Sequence, residues 1–286
     1  MLDSNLTKKI NDFVYVKPRT IQEIAHLIGK NWRTANSYID KIEKEQGTIS
    51  TRMFREGTRG ALKIVFWNSI EKIHSSSFQE RLFKQIESGR YKKDFSPLDI
   101  YHYVNNDKKS AFLLHEDQYK SIENFDNFSN LLRSAQSQVL FFSGNLSFTN
   151  MTNGKIKILN VIEEIAKKGI NIKVLTRIEV PGLDNILNVL AINDRIEREA
   201  IEIRHTFQPL RTTIVDNKIV TLKEEKIPLT NDEYKEDELR ESFSIIFNIS
   251  DEEWVEWLQK VFWNLFRTAI PAQKRIEELE TIKAIR

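Results

Sequence analysis

Apolar residues near the start of the chain recur every three or four positions, which is the spacing of a helix with one buried face. Leu6, Ile10 and Phe13 form one such stripe. Thr20 and Glu23 have the spacing of a capping box, in which each residue satisfies a backbone group of the other at a helix start. The pattern therefore predicts a short helix followed by a second, capped helix.

A third helix and a hairpin follow these two helices. Trp32–Glu45 has apolar residues on one face, and a glycine-containing turn separates it from the second helix. Thr48–Phe54 and Ala61–Trp67 have the pattern of two strands, and the turn between them contains two glycines that permit positive φ. Three helices followed by a β-hairpin predict a winged helix-turn-helix domain over residues 1–74.

The outward face of the third helix and the hairpin carry cationic, amide and hydroxyl side chains, which contact phosphates and base edges in duplex DNA. The residues predicted to contact DNA are Trp32, Arg33, Thr34, Asn36, Ser37, Lys41, Arg52, Arg55, Arg59 and Lys63. The alternative is a helix-turn-helix that contacts only protein, next to a solvated charged hairpin.

Residues 75–126 are less regular. Ser75–Ser88 has helical spacing, and Pro97 predicts the start of another short helix. Because a short amphipathic helix cannot bury its stripe alone, we predict a helical connector that contributes to a dimer. His115–Asp117 are adjacent residues without a second pair of ligands, so no metal site is predicted there.

Residues 127–286 alternate apolar runs with helical stripes, which is the pattern of an α/β domain. The predicted strands are Val139–Phe142, Ile170–Leu175, Ile201–Arg204, Thr212–Val215, Ile219–Leu222 and Phe243–Phe247. The predicted helices are Ile156–Lys168, Asp184–Arg198 and a closing helix after Ser250, with a polar loop at Glu224–Glu241. The closing helix is apolar nearly all round, as is typical of a helix in a core or at a dimer contact.

Charge is distributed unevenly along the 286 residues. Residues 1–75 contain 13 Lys and Arg against 8 Asp and Glu, whereas the whole chain contains 43 against 41. A polyanionic partner is therefore expected to meet the N-terminal part. The chain has no cysteine, which excludes disulfides and thiolate metal sites and favours a cytoplasmic location. The polar N-terminus and the lack of a long apolar run predict neither a signal peptide nor a membrane span.

The order of these elements resembles the TrmB-type archaeal transcription regulators, whose C-terminal effector domain is similar to one half of the phospholipase D fold. The residues that carry the resemblance are Val139–Ser143, Ala166–Leu175, Ile201–His205 and Pro209–Asp216. The resemblance implies an α+β winged helix-turn-helix domain followed by a phospholipase D-like α/β domain. It also implies a DNA-binding regulator that senses an effector, and two-fold operators suggest a homodimer.

The same resemblance argues against catalysis. Phospholipase D enzymes use a His-x-Lys-x4-Asp signature, and alignment on Asp216 places Arg211 at the lysine position and Pro209 at the histidine position. Since proline has no nucleophile, we predict no enzymatic activity. The sequence contains no GxGxxG motif and no Walker loop, and no cofactor is predicted. A divergent phosphodiesterase that uses His205, or a protein-interaction adaptor, remains the alternative function.

A ligand site is predicted where the strands of the C-terminal domain end. Ser143 and Asn145 follow the first strand, and open α/β sheets bind ligands at the carboxyl ends of their strands. Arg211 places a cation at the former lysine position, with His205 and Gln208 near it in sequence. These five residues are the candidate contacts to a small-molecule effector; the alternative is that Arg211 pairs with an acidic neighbour.

Overall fold

The computed structural model describes residues 4–16, 18–55, 61–67, 76–115, 121–226 and 242–284. The chain divides into two compact units, which we call the N-terminal unit (Met1–Ser75 and Gln259–Asn264) and the C-terminal unit (Ser76–Leu258 and Leu265–Arg286). Both units contain helices and strands, so the fold is mixed α and β.

The N-terminal unit contains helices packed with a small antiparallel sheet. Its elements are α1 (Ser4–Val16), β1 (Arg19–Thr20), α2 (Ile21–Ile28), α3 (Trp32–Gln46), β2 (Ile49–Arg55) and β3 (Ala61–Trp67). The strands lie in the order β1-β3-β2, and Arg52 of β2 is opposite Ile64 of β3. The helices and the sheet bury one aliphatic core, to which α2 contributes Ile21 and Ile24 and α3 contributes Ile39.

Caps determine where α2 and α3 begin and end. Thr20 accepts a hydrogen bond from the Glu23 N–H at 3.1 Å, and the Glu23 carboxylate accepts one from the Thr20 N–H at 2.7 Å. The predicted capping box is therefore present. Gly29 ends α2 with φ of 63°, a left-handed conformation that glycine adopts without a steric penalty. Asn31 caps α3 by accepting from the Thr34 N–H at 2.9 Å.

The C-terminal unit is built around a large sheet. Its strands are β4 (Lys109–His115), β5 (Gln138–Phe142), β6 (Asn171–Thr176), β7 (Ile201–His205), β8 (Thr212–Val215), β9 (Ile219–Lys226), β10 (Phe243–Ile249) and β11 (Ile270–Pro271). Its helices are α4 (Ser77–Ser88), α5 (Leu98–Tyr101), α6 (Ile122–Arg133), α7 (Ile158–Lys167), α8 (Leu183–Arg195), α9 (Glu252–Thr268, apart from Gln259–Asn264) and α10 (Ala272–Ala284).

The eight strands lie in the order β11-β7-β6-β5-β8-β9-β10-β4. β5, β6 and β7 are parallel and are connected by α7 and α8, whereas the other neighbouring pairs are antiparallel. Because β8 runs against β5, the ends of β5, β6 and β7 and the start of β8 meet at the same edge of the sheet. This edge brings Ser143, Arg177, His205 and Arg211 into one region of the fold.

The turn between β8 and β9 is held by a buried carboxylate. Asp216 has φ of 50°, a conformation that Asp tolerates better than most residues. Its side chain accepts hydrogen bonds from the N–H groups of Gln136 at 2.9 Å, Ser137 at 2.8 Å and Gln138 at 3.0 Å. The Ser137 hydroxyl donates a further bond at 2.8 Å. Asp216 therefore ties this turn to the start of β5.

The prediction of a helical connector over residues 75–126 is wrong for Lys109–His115, which form the edge strand β4. β4 pairs with β10 along its length, with Leu113 opposite Ile245. The sequence of β4 contains a short apolar run, and periodicity alone cannot assign such a run to a helix or a strand. Pairing with β10 decides the outcome, because β10 supplies hydrogen-bond partners for the backbone groups of β4.

Two further differences concern the end of the chain. The predicted polar loop Glu224–Glu241 is wrong at its start, because β9 continues to Lys226; residues 227–241 lie outside the described part. α10 was not predicted. It carries only a weak apolar stripe, yet it places Ala272 and Leu279 in the core of the C-terminal unit.

The apolar stripes expected at a dimer contact are used inside the chain. Trp254 of the closing helix α9 is 4% exposed and packs against the rings of Phe78 and Tyr103. Leu82 and Ile86 of α4 are fully buried as well. For the closing helix, burial of Trp254 agrees with the core alternative, and the described stripe of α4 is likewise buried within the chain rather than left for a dimer seam. Homodimerisation itself stays a prediction.

Candidate functional sites

The outward face of α3 consists of Arg33, Asn36, Ser37, Asp40 and Lys41. This face lies opposite the buried side of the helix, where Ala35, Ile39 and Ile42 join the core. Arg33, Ser37 and Lys41 are exposed and follow one another at intervals of four residues, so they lie on one line along the helix. None of these three side chains has a hydrogen-bond or ion-pair partner among the residues that the structure describes.

The other part of this face is engaged in a polar network with the hairpin. Lys63 of β3 donates to the Asn36 side-chain oxygen at 2.9 Å and forms an ion pair with Asp40 at 2.7 Å. The Asn36 amide donates to the second oxygen of Asp40 at 2.8 Å. Lys63 is only 14% exposed, and these contacts make it a bridge between α3 and β3.

The remaining predicted DNA contacts differ in how much of each residue the structure describes. Trp32 is 48% exposed at the start of α3, Thr34 is half-buried beside it, and Arg52 is exposed on β2. The backbone of Arg55 ends β2, but its side chain lies outside the described residues, as does the whole of Arg59. Sequence reasoning missed Asp40, an acidic residue on the outward face; its spacing of four from Asn36 was the available signal.

Ser143, His205 and Gln208 are largely occupied by internal contacts. The Ser143 hydroxyl accepts from the Leu146 N–H at 3.0 Å, and the Gln208 amide donates to the Ser143 carbonyl at 2.8 Å. His205 is 6% exposed, and its Nδ1 accepts from the Ile178 N–H at 2.9 Å. Burial and the charge of Arg275 lower the pKa of His205 below its ordinary value, so the imidazole is neutral at pH 7.

Arg211 differs from these residues because its charge has little compensation. The guanidinium donates one hydrogen bond, to the Leu210 carbonyl at 2.7 Å, and no described carboxylate lies within ion-pair distance. It lies flat against Gly144, where an added Cβ would be 2.7 Å from Nη2. Burial and the charge of Arg177 lower the pKa of Arg211 to about 10, against the opposing effect of Glu225. Arg211 is therefore still a cation at neutral pH.

A cavity of about 440 Å³ opens beside Arg211, on the face of the sheet that α6 covers. Its apolar lining includes Phe112, Leu114, Phe128, Phe148, Met151 and Ile246. Ser143 and Asn145 line it, whereas His205 and Gln208 do not. The structure thus brings three of the five predicted ligand contacts, Ser143, Asn145 and Arg211, to one cavity.

Polar cavity residues on β8, β9 and β10 were missed by sequence reasoning. Thr213, Thr221 and Asn248 stand opposite one another across three neighbouring strands, and Lys223 and Glu225 follow on β9. Strict alternation along β9 places Thr221, Lys223 and Glu225 on one face. That alternation was visible in the sequence, but the partner strands were not.

The described part of the chain contains neither a candidate metal-binding cluster nor a candidate membrane-spanning helix. No cluster of three or more His, Cys, Asp or Glu side chains there could hold a metal ion. Among the same residues, no helix is both long enough and apolar enough to cross a membrane.

Comparison with known proteins gives structural neighbours of low sequence identity. No protein-family model matches the chain, and no curated protein is significantly similar to it in sequence. The structure is similar to that of TrmBL2, described as an archaeal chromatin protein with a novel mode of DNA binding. The likeness has 13% identity and a TM-score of 0.38, and it covers 93% of each chain.

Two enzymes are also among the neighbours. Nuc of Salmonella typhimurium, a phospholipase D family member, has 13% identity and a TM-score of 0.39, over 57% of this chain and 98% of Nuc. Phosphatidylserine synthase of Haemophilus influenzae has 10% identity and a TM-score of 0.39, over 80% of this chain and 63% of the synthase. At these values the function has to be inferred from the residues of this chain.

Proposed function

We propose that the chain is a sequence-specific DNA-binding transcription regulator. In this proposal, residues 1–74 form a winged helix-turn-helix domain that inserts α3 into the major groove. The observation that carries the proposal is the line of Arg33, Ser37 and Lys41, which are exposed and lack partners among the described residues. At about 1.5 Å per residue the line is roughly 12 Å long, so its three side chains are spread along one face of a helix that the major groove is wide enough to admit.

The position of the hairpin supports the same proposal. β2 and β3 directly follow α3, and Lys63 ties β3 to α3 through Asn36 and Asp40. The hairpin tip, with Arg55 and Arg59, is then expected to contact the phosphate backbone beside the groove as a wing. These two contacts remain predictions from the sequence.

Single substitutions on α3 test the proposal. The probes are a duplex selected by the protein from a random pool and an unrelated duplex, and binding is followed by fluorescence anisotropy at several salt concentrations. Arg33→Ala is expected to weaken binding of the selected duplex by about 1–3 kcal/mol, since a bidentate base contact discriminates by that amount. Lys41→Ala is expected to weaken both duplexes and to lower the salt slope by about 0.9 for one lost phosphate contact.

Matched control variants come from the C-terminal unit. Arg90 and Lys155 are exposed, and their side chains have no partner among the described residues. Arg90→Ala and Lys155→Ala remove the same charges and are expected to leave DNA affinity unchanged. The proposal fails if the control variants weaken binding as much as the α3 variants do. An absence of salt-dependent DNA affinity favours the protein-interaction adaptor instead.

We also infer that the chain does not hydrolyse phosphodiesters. Pro209 stands at the position of the nucleophile and is buried, and the Nδ1 of the nearby His205 is occupied by a backbone N–H. Incubation with bis(p-nitrophenyl) phosphate is expected to release no nitrophenolate above background. Activity that disappears in His205→Ala would contradict this inference and support the divergent phosphodiesterase.

The proposed regulator acts as a homodimer. Two recognition helices related by a two-fold axis read half-sites one turn of DNA apart, which increases both affinity and specificity. Light scattering of the protein with and without the selected duplex is expected to give a mass of two chains per duplex. One chain per duplex at saturation would contradict this part of the proposal.

A further inference from the structure

We propose that the cavity of the C-terminal unit binds a small organic acid, with its carboxylate at Arg211 and its apolar body between α6 and the sheet. This inference is independent of DNA binding. It commits to the chemistry of the ligand: one negative charge and a largely hydrocarbon body.

The size and the lining of the cavity support a ligand of this kind. A volume of about 440 Å³ lies within the range of roughly 300–1,000 Å³ that is usual for small-molecule sites. Phe128 of α6 and Phe148 face the cavity from one side, and Phe112 and Ile246 face it from the outer strands. Phe112 is 42% exposed, so this part of the cavity wall is accessible to a ligand from solvent.

The charges at the cavity specify the sign of the ligand. The ionisable lining residues within the described part of the chain are Arg211, Lys223 and Glu225. Lys223 and Glu225 form an ion pair at 3.1 Å, and Glu225 also contacts Lys92. Because the Glu225 carboxylate serves both lysines, it has no charge left to offset Arg211, which stays a cation without a carboxylate partner among the described residues. A ligand with a single negative charge would neutralise it.

The geometry at Arg211 favours a carboxylate. The guanidinium has five N–H donors in a planar fork, and one of them has a partner among the described residues. A half-buried cation with unused donors has lost part of its hydration without full compensation, and a bidentate carboxylate restores it. Gly144 allows this arrangement, because a Cβ there would be 2.7 Å from Nη2 and 3.0 Å from Cζ.

A polar row crosses the floor of the cavity and would contact the body of the ligand. The Thr221 hydroxyl donates to the Asn248 side-chain oxygen at 2.8 Å, so the amide N–H groups of Asn248 have no partner among the described residues. Thr213 lies next in the row. These groups would accept a hydroxyl or carbonyl on an otherwise apolar chain, whereas a sugar would leave most of its hydroxyl groups against hydrocarbon.

A series of carboxylates tests the proposal on the full-length protein without DNA. Binding of acetate, hexanoate, octanoate and decanoate is measured by isothermal titration calorimetry, with octanol, maltose and inorganic phosphate as comparisons. Each added methylene is expected to tighten binding about fourfold until the cavity is full. Octanol is expected to bind at least tenfold more weakly than octanoate, and maltose and phosphate are expected not to compete.

Two variants address the position of the carboxylate. Arg211→Gln removes the charge, and Gly144→Ala keeps it but displaces the guanidinium. Both are expected to weaken octanoate at least tenfold and to leave octanol unchanged. Arg90→Gln removes an exposed arginine of the same unit as a control and is expected to change neither.

Several outcomes would overturn the proposal. Equal affinities for octanoate and octanol would show that Arg211 does not contact a charge. Competition by phosphate without any effect of chain length would indicate a phosphate site instead. Unchanged octanoate affinity in a folded Arg211→Gln protein would place the carboxylate elsewhere. If Arg211→Gln fails to fold, the octanoate and octanol comparison on the unaltered protein still decides.

Discussion

Replacement of Lys63 by methionine tests whether the outward face of α3 meets DNA. Lys63 neutralises Asp40 through a contact of 2.7 Å and also holds the Asn36 side chain at 2.9 Å. Lys63→Met keeps most of the side-chain volume but leaves the Asp40 carboxylate without its counter-ion. An uncompensated negative charge would then stand beside Arg33 and Lys41 on the surface proposed to contact phosphates.

The magnitude follows from the exposure of the two partners. Asp40 is 51% exposed and Lys63 is 14% exposed, so the pair is partly screened and its loss should lower the free energy of unfolding by only about 0.5–1 kcal/mol. A carboxylate at about 6 Å from a phosphate in a largely aqueous environment costs about 1 kcal/mol, and the lost cation adds to this. DNA affinity is therefore expected to fall about five- to tenfold at low salt, on every sequence.

Anisotropy titrations of four proteins separate the charge effect from a fold effect: the unaltered chain, Lys63→Met, Asp40→Asn and the double variant. Asp40→Asn alone should tighten binding, and the double variant should return to near the unaltered affinity because no bare carboxylate remains. Lys155→Met is the matched control. If Lys63→Met weakens binding no more than the control does, or if Asp40→Asn fails to restore the double variant, α3 does not face DNA in this way.

Two further predictions concern the C-terminal unit. Asp216→Ala removes four hydrogen bonds to a carboxylate and is expected to lower the urea unfolding free energy by about 3–5 kcal/mol; a loss below about 1 kcal/mol would contradict the role of Asp216. Burial raises the pKa of Glu202, but Lys173 and Arg204 outweigh it and leave that pKa below the ordinary 4.5. The stabilisation is then complete above pH 4.5 and lost as the pH falls through the lowered pKa. Urea midpoints between pH 6 and pH 3 should fall less steeply in Glu202→Gln, and parallel curves would refute this.

Local signals in the sequence predict the helices of the N-terminal unit well. α2 begins at the capping box of Thr20 and Glu23 and ends at Gly29, because these residues satisfy or terminate the backbone hydrogen bonds themselves. α3 is equally local, since Asn31 caps it and its apolar residues share one face. Helices of this kind depend on neighbours within a few positions, which the sequence displays directly.

The strand β4 and the cavity could not be predicted in the same way. β4 is a strand because β10, more than 120 residues later, supplies its backbone partners. Phe112 of β4, Phe128 of α6 and Thr221 of β9 meet at one cavity only because the sheet has the order β8-β9-β10-β4. Such contacts depend on pairing between distant segments, and the composition of each segment carries no record of its partner.

The cations of this chain show why residue type alone is a weak guide to function. Lys63 and Arg19 belong to the basic N-terminal part, yet Lys63 is bound to Asp40, and Arg19 donates to the Phe13 carbonyl and pairs with Glu23. Their charges are already compensated, so a phosphate would have to compete with a carboxylate. Arg33 and Lys41 have no such partner among the described residues.

Cationic side chains that already pair with a carboxylate of the chain therefore have a structural role, whereas cationic side chains without such a partner are the candidates for binding an external anion. Exposed Arg33 and Lys41 are solvated by water in the absence of a partner, and this suits the salt-dependent DNA contacts that we propose for α3. Arg211 is different, because it is half-buried and only partly hydrogen-bonded. In the folded state the guanidinium of Arg211 has lost part of its contact with water. Binding of an anion to Arg211 is therefore expected to release more free energy than binding of an anion to an exposed cation. This difference is why we expect salt-dependent DNA contacts at α3 and a defined ligand geometry at Arg211.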